Sequence, residues 1–151
     1  VTSSRAATAD ERAAKEAFQL AAWGQRACAV SRDGRDWDPA IGKNWEAHHV
    51  IEKRELKARG LAHLLWDERN ALRVRPDIHR RHTNRMEPIP LRCLKQDNID
   101  FAFEVMGASA KEHLERLYPG ADARVQRAFE VYEARRKLAL RKIDPDVNHI
   151  P

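Results

Sequence analysis

The chain has 151 residues, 42% of them hydrophobic and 34% charged, with a net charge of +5. That size and balance suit one folded domain, residues 1–151, and exclude a disordered chain; no apolar run approaches the length of a membrane span. Two distant cysteines, Cys28 and Cys93, exclude a disulfide framework and a four-cysteine zinc site, and predict a reducing, cytoplasmic setting.

The opening "VTSSRAATADERAAKEAF" lacks the basic end and apolar core of a secretory signal. It has no initiator Met, which fits a trimmed chain or a piece of a longer protein. Thr8 and Glu11 form a capping box, and Ala14, Phe18, Ala21 and Ala22 recur at helical spacing, predicting a helix over about residues 9–29. "SRDGRDWDP" is a loop punctuated by Gly34 and Pro39. Residues 45–51 predict a short strand carrying His48 and His49. "KRELKARGLAHLLWDE" predicts a helical excursion broken near Gly60. "NALRVRP" alternates Leu72 and Val74 with outward Arg73 and Arg75, a second short strand that Pro76 ends. Asp77 then caps a short helix in "DIHRRHTNRM", and "EPIPL" is an extended linker.

The last third predicts three helices. "QDNIDFAFEVMG" is capped near Asp97 and closed by Gly107. "SAKEHLERLYPG" has a second capping box, Ser109 to Glu112, and stops at Pro119-Gly120. Asp122 caps a long surface helix, about 123–142, whose basic end adds a phosphate contact or only complements the helix dipole. The fold class is therefore α+β, mostly α, with a short two-stranded hairpin flanked by N- and C-terminal helices.

Charge is uneven along the chain. Residues 1–48 are balanced, with 7 Lys/Arg and 7 Asp/Glu, whereas residues 49–95 carry 12 and 6. The positive excess surrounds the histidines and suits a polyanion such as DNA or RNA, though a solubilising face would look the same. Neighbouring side chains on a strand point to opposite faces. His48 and His49 can therefore do two jobs at one place.

Strand with His48-His49, excursion, strand with Asn70, then His79 nine residues later at the start of a helix: this order resembles the His-Asn-His, or HNH, nucleases. The match covers residues 45 to about 86. It implies a ββα-metal core there, and a metal-dependent endonuclease of phage or mobile-element type that nicks DNA or cuts both strands, leaving 5′-phosphate and 3′-hydroxyl ends. The resemblance gives His49 the role of general base, which a neutral imidazole can fill near pH 7. It gives Asn70 the task of pinning the loop that holds the base. It makes His48 and His79 ligands of one divalent metal. His82, on the same helix face as His79, is a weaker third ligand, because relatives place that histidine where Thr83 stands. Mg²⁺ or Mn²⁺ is expected to support turnover, and Zn²⁺ or Ni²⁺ to bind the imidazoles. Arg80, Arg81 and Arg85 on the helix, with Arg73 and Arg75 on the strand, are expected to hold phosphates without reading sequence.

Two departures stand out. Many relatives carry a zinc ribbon, but here Ser31, Arg75 and Ile78 stand where three of its four cysteines would be, with Cys28 kept. A structural zinc cannot form. Packing by Trp37, Trp45, Trp66 and the terminal helices is expected to replace it. The 20 residues between His49 and Asn70 also exceed the compact form of the motif.

Two other readings compete. One is a non-catalytic nucleic-acid-binding module on the same scaffold. The other is the nuclease domain of a bacterial toxin, whose partner would be an immunity protein. The expected partner is DNA, or RNA, and no membrane. One active site cuts one strand, so double-strand cleavage calls for a homodimer or two encounters. Asn70 as a plain turn residue is an open alternative, as are Glu46 and Glu52 as solvated carboxylates. His63, His113 and His149 are read as structural or exposed, and the tryptophans as core.

Overall fold

The computed structural model describes residues 8–23, 46–83 and 88–143. In chain order these form α1 (Ala9–Trp23), β1 (Glu46–His49), α2 (Lys53–Ala58), β2 (Ala71–Val74), α3 (Pro76–Thr83), α4 (Gln96–Met106), α5 (Ala110–Leu117) and α6 (Ala123–Ile143). The described residues are mostly helical, with one antiparallel hairpin made of β1 and β2. None of their helices is long and apolar enough to cross a membrane. Trp37, Trp45, Cys28, Ser31, Arg85 and His149 lie outside the described residues.

The hairpin register decides what each histidine faces. Glu46 pairs with Val74, Ala47 with Arg73, His48 with Leu72 and His49 with Ala71. Side chains alternate across a strand, so His48, Leu72 and Val74 share one face, and Ala47, His49, Ala71 and Arg73 the other. The first face meets the main core, where Leu72 and Val74 join Ile51, Leu56, Ile89, Leu94, Ile99 and Phe101. The second face lies under α1, whose Phe18 and Ala22 cluster with Ala71.

That covering overturns one expectation. Arg73 does not point outward to solvent; it is 8% exposed, and all four residues of β2 are buried. The alternation is as predicted, but α1 closes the face that would otherwise be wet. Arg75 is half-buried and paired with Asp77 at 3.0 Å. Of the expected arginines that are described, Arg80 and Arg81, both exposed on α3, present the basic surface.

Helix ends depart from the prediction in small ways. α3 begins at Pro76, one residue before the expected cap, because proline's missing N–H costs nothing at the first helical position. Ser109 makes no capping bond; its hydroxyl donates to the Met106 carbonyl at 2.8 Å instead. Thr8 does cap α1, accepting from the Glu11 N–H at 3.1 Å. Gly107 closes α4 with φ +60°, and a Cβ there would stand 2.7 Å from the Tyr132 hydroxyl, so only glycine fits. The excursion after β1 is α2, a turn at Gly60 with φ +73°, and two short 3-10 turns leading into β2.

α4 is the spine of the C-terminal half, burying Ile99, Phe101, Ala102, Phe103 and Met106. α5 and α6 pack on it, and α6 buries only Val125. One residue of α4 also reaches the hairpin. The buried Asn98 amide donates to the Arg69 carbonyl at 2.7 Å and the Ala71 carbonyl at 3.2 Å. It thereby fixes the backbone on both sides of Asn70.

Candidate active site

An open cleft of about 730 Å³ has Glu46, His48, His49, Trp66, His79 and His82 among its lining residues, with others from α1 and α2. The hairpin brings in the first three. α3, packed against β1, brings in His79.

His49 is held on three sides. Its ring stacks on Phe18 of α1 with centroids 4.3 Å apart, and Trp66 meets it edge-on at 5.2 Å. Its Nε2–H donates to the Leu65 carbonyl at 2.8 Å. A carbonyl can only accept, so the proton sits on Nε2 and the lone pair on Nδ1. Burial pushes the His49 pKa down to about 4, opposed by the bond to Leu65 and aided by Lys53 and His79. At neutral pH the ring is therefore an uncharged acceptor of protons.

Asn70 sits at the entry to β2, fully buried. Its Oδ1 accepts from the Ile51 N–H at 2.7 Å and its Nδ2 donates to the Ile51 carbonyl at 2.9 Å. The main chain adds a bond from the Val50 N–H to the Asn70 carbonyl at 3.0 Å. Both polar groups of Ile51, two residues past His49, are thus satisfied by one amide. Asn70 is more than a turn former.

His48 has the opposite environment, at 5% exposure. The Tyr118 hydroxyl lies 2.7 Å from His48 Nε2 and 2.7 Å from the Val50 carbonyl. A carbonyl cannot donate, so tyrosine gives its proton to Val50 and accepts one from His48. The lone pair of neutral His48 is then on Nδ1. His79 is oriented by Glu46, whose carboxylate accepts from Nδ1 at 2.7 Å, leaving the lone pair on Nε2. A carboxylate behind an imidazole is the usual support of a metal-binding histidine. The His48 and His79 rings stand 5.0 Å apart at 78°. Two imidazoles sharing an ion at about 2.1 Å have centroids roughly 5 Å apart, which is the spacing of this pair.

His82 does not complete that set. Its Nδ1 accepts from the Ile89 N–H at 3.2 Å, which puts the proton of the neutral ring on Nε2 and leaves no lone pair for a metal. Its ring stacks on Tyr118 at 5.1 Å, under His48. His82, the weaker candidate for a third ligand, is buried at the cleft with its Nδ1 turned to the backbone. Among the described residues no group of three or more His, Cys, Asp or Glu side chains is arranged around one ion position. An ion on His48 and His79 would draw its other ligands from water or substrate oxygens.

Tyr118, Phe18, Leu65 and Asn98 are the site's supports, and none was singled out in that role from sequence. Tyr118 stands before the Pro-Gly stop of α5, 70 residues from His48, with nothing local to announce its reach. Of the remaining histidines, His63 is exposed and His113 is buried with its pKa lowered by burial.

The two depressed histidines make the fold acid-sensitive. The unfolded chain binds a proton below the ordinary histidine value of 6.5; the fold resists until about 4 at His49. Stability is thus full above about pH 6.5 and falls as the pH drops through that window, by up to roughly 3 kcal/mol from His49. His113 acts in the same direction. Thermal unfolding in EDTA should show a lower Tm at pH 5 than at pH 7.5, and His49→Phe should flatten that slope. An unchanged slope in the variant would mean that His49 takes its proton without hindrance.

Comparison with known proteins finds no matching family model, no matching curated protein and no matching solved structure.

Proposed function

We propose that the chain is a metal-dependent HNH endonuclease, with residues 46–83 as its ββα-metal core, hydrolysing DNA phosphodiester bonds to 5′-phosphate and 3′-hydroxyl ends. The observation that carries this reading is that His48, His49 and His79 line one cleft with complementary tautomers. In two of these rings the hydrogen-bond partner puts the lone pair on the other nitrogen, and the third is a neutral base anchored by a backbone carbonyl.

The roles follow from those contacts. His49 takes the proton of the attacking water on Nδ1, and the Leu65 carbonyl steadies the imidazolium that forms. A pKa near 4 describes the ring without substrate. A phosphodiester anion in the cleft favours the charged ring and lifts that value toward the working pH. Asn70 holds the Ile51 backbone, and so fixes where His49 stands. A divalent ion on His48 and His79, when bound, supplies positive charge for the phosphate and for the departing 3′ oxygen. Arg80 and Arg81 present forked donors to neighbouring phosphates.

The test is incubation with supercoiled plasmid in Mg²⁺, Mn²⁺, Ni²⁺ or EDTA. Nicked circles should accumulate with Mn²⁺ or Mg²⁺ and be absent in EDTA. Cutting that survives EDTA would remove the metal from the mechanism. A gel shift without cutting in any metal would favour the non-catalytic binding module.

A further inference from the structure

Two lysines on the rim of this cleft have no part in holding metal or phosphate above, although Lys53 also helps to hold the His49 pKa down. Lys15 comes from α1 and Lys53 from the first turn of α2, and both are exposed. Each places its ammonium near the same indole: Lys53 Nζ is 4.9 Å and Lys15 Nζ 5.6 Å from the Trp66 ring centroid. Trp66 in turn meets both Phe18 and His49 edge-on. Two like charges drawn to one ring repel each other, and a cation–π contact at an exposed site offsets only about 0.5–1 kcal/mol. A carboxylate between them would be the ordinary remedy. Among the described residues the cleft has two carboxylates, and both are engaged elsewhere. Glu46 holds His79, and Glu52 is paired with Arg54 at 2.7 Å. Neither lysine has an ion pair with a described residue.

A cation pair with no ion pair among the described residues, beside a neutral base, is suited to an anion brought from outside. We infer that Lys15 and Lys53 form a phosphate-binding rim of the cleft, gripping the cut strand at phosphates next to the scissile one, with Trp66 as the spacer that aims both. The inference rests on the nuclease reading above. It makes α1 part of the substrate site rather than only a cover for the hairpin. Point charges on flexible stems suit backbone contact and carry no base preference, so the rim contributes affinity and register but not sequence choice. Both are positioning residues, since neither exchanges a proton with the reacting atoms.

The experiment compares wild type, Lys15→Gln/Lys53→Gln and Lys15→Arg/Lys53→Arg on a labelled duplex in Mn²⁺, with initial rates taken at several salt concentrations. In the glutamine pair, KM should rise roughly tenfold or more, and the salt exponent of kcat/KM should shrink by about two, one per lost phosphate contact. The kcat should change by less than about threefold. The arginine pair should restore the salt exponent. If wild type cuts and the glutamine pair keeps its KM and salt exponent, the rim is wrong and the nuclease reading stands. If kcat falls at unchanged KM, the lysines act through Trp66 on His49, and the rim is again wrong. If wild type fails to cut in any metal, the nuclease reading falls and takes the rim with it.

Discussion

Replacing His49 by Ala should lower the nicking rate by about 10²–10⁴-fold while leaving the affinity for DNA nearly unchanged. The reasoning starts from what the ring touches. Its Nε2–H is committed to the Leu65 carbonyl, and its faces and edge to Phe18 and Trp66. Only the Nδ1 lone pair remains for chemistry. None of these contacts reaches the His48–His79 pair, so an ion should still bind to the variant. The substitution also opens a gap between Phe18 and Trp66. That costs packing energy, so Tm must be read beside the rate. Lost cutting with retained gel shift, retained Mn²⁺ binding and a modest drop in Tm would identify a base. Lost cutting together with lost DNA binding would instead make His49 a structural wedge under α1. Equal cutting by both proteins would assign the activity to another base or to a contaminant.

The parts of this site that were legible in the sequence are those carried by local pattern. Alternation in "EAHHV" and "NALRV" is a property of neighbouring residues, and the hairpin follows it, with His48 and His49 on opposite faces. The capping pair Thr8–Glu11 and the stops at Gly60 and Gly107 are equally local. What could not be read is what covers each face. Arg73 looks outward in the alternation, yet α1 turns that outer face into a second core. His82 looks like a ligand from its spacing to His79, yet a backbone N–H seven residues away sets its tautomer. Tyr118 and Asn98 reach the hairpin from the C-terminal helices, across 70 and 27 residues. The absent zinc ribbon left open what steadies the core. The described answer is Asn98 and Tyr118 on one side and Phe18 with Trp66 on the other. Contacts of that separation leave no periodic trace, because each is a single side chain meeting a group far away in the chain.

Asn70→Ala should be the most destabilising single change in the hairpin, by about 2–4 kcal/mol, because it strands two buried backbone groups at once. Ile51 is fully buried, and both its N–H and its carbonyl are bonded to the Asn70 amide. Alanine provides neither partner. Water has no easy path to replace them, and for a domain of this size the loss corresponds to roughly 5–15 °C in Tm. The Val50–Asn70 main-chain bond survives any substitution, so the strands should stay paired while the loop after His49 loosens. Asn70→Asp separates this account from simple loss of packing. Aspartate has the same shape and still accepts from the Ile51 N–H, but its second oxygen faces the Ile51 carbonyl, acceptor against acceptor. That repulsion and burial both favour the protonated acid, so the folded pKa of the new carboxyl lies above its unfolded value. Its protonated form can donate to Ile51 as the amide did. Relative to wild type, Asn70→Asp should therefore be least stable near neutral pH and regain ground as the pH falls, whereas Asn70→Ala should show a constant deficit. Parallel deficits in the two variants at every pH would mean that Asn70 fills space and does not clamp the loop that carries the base.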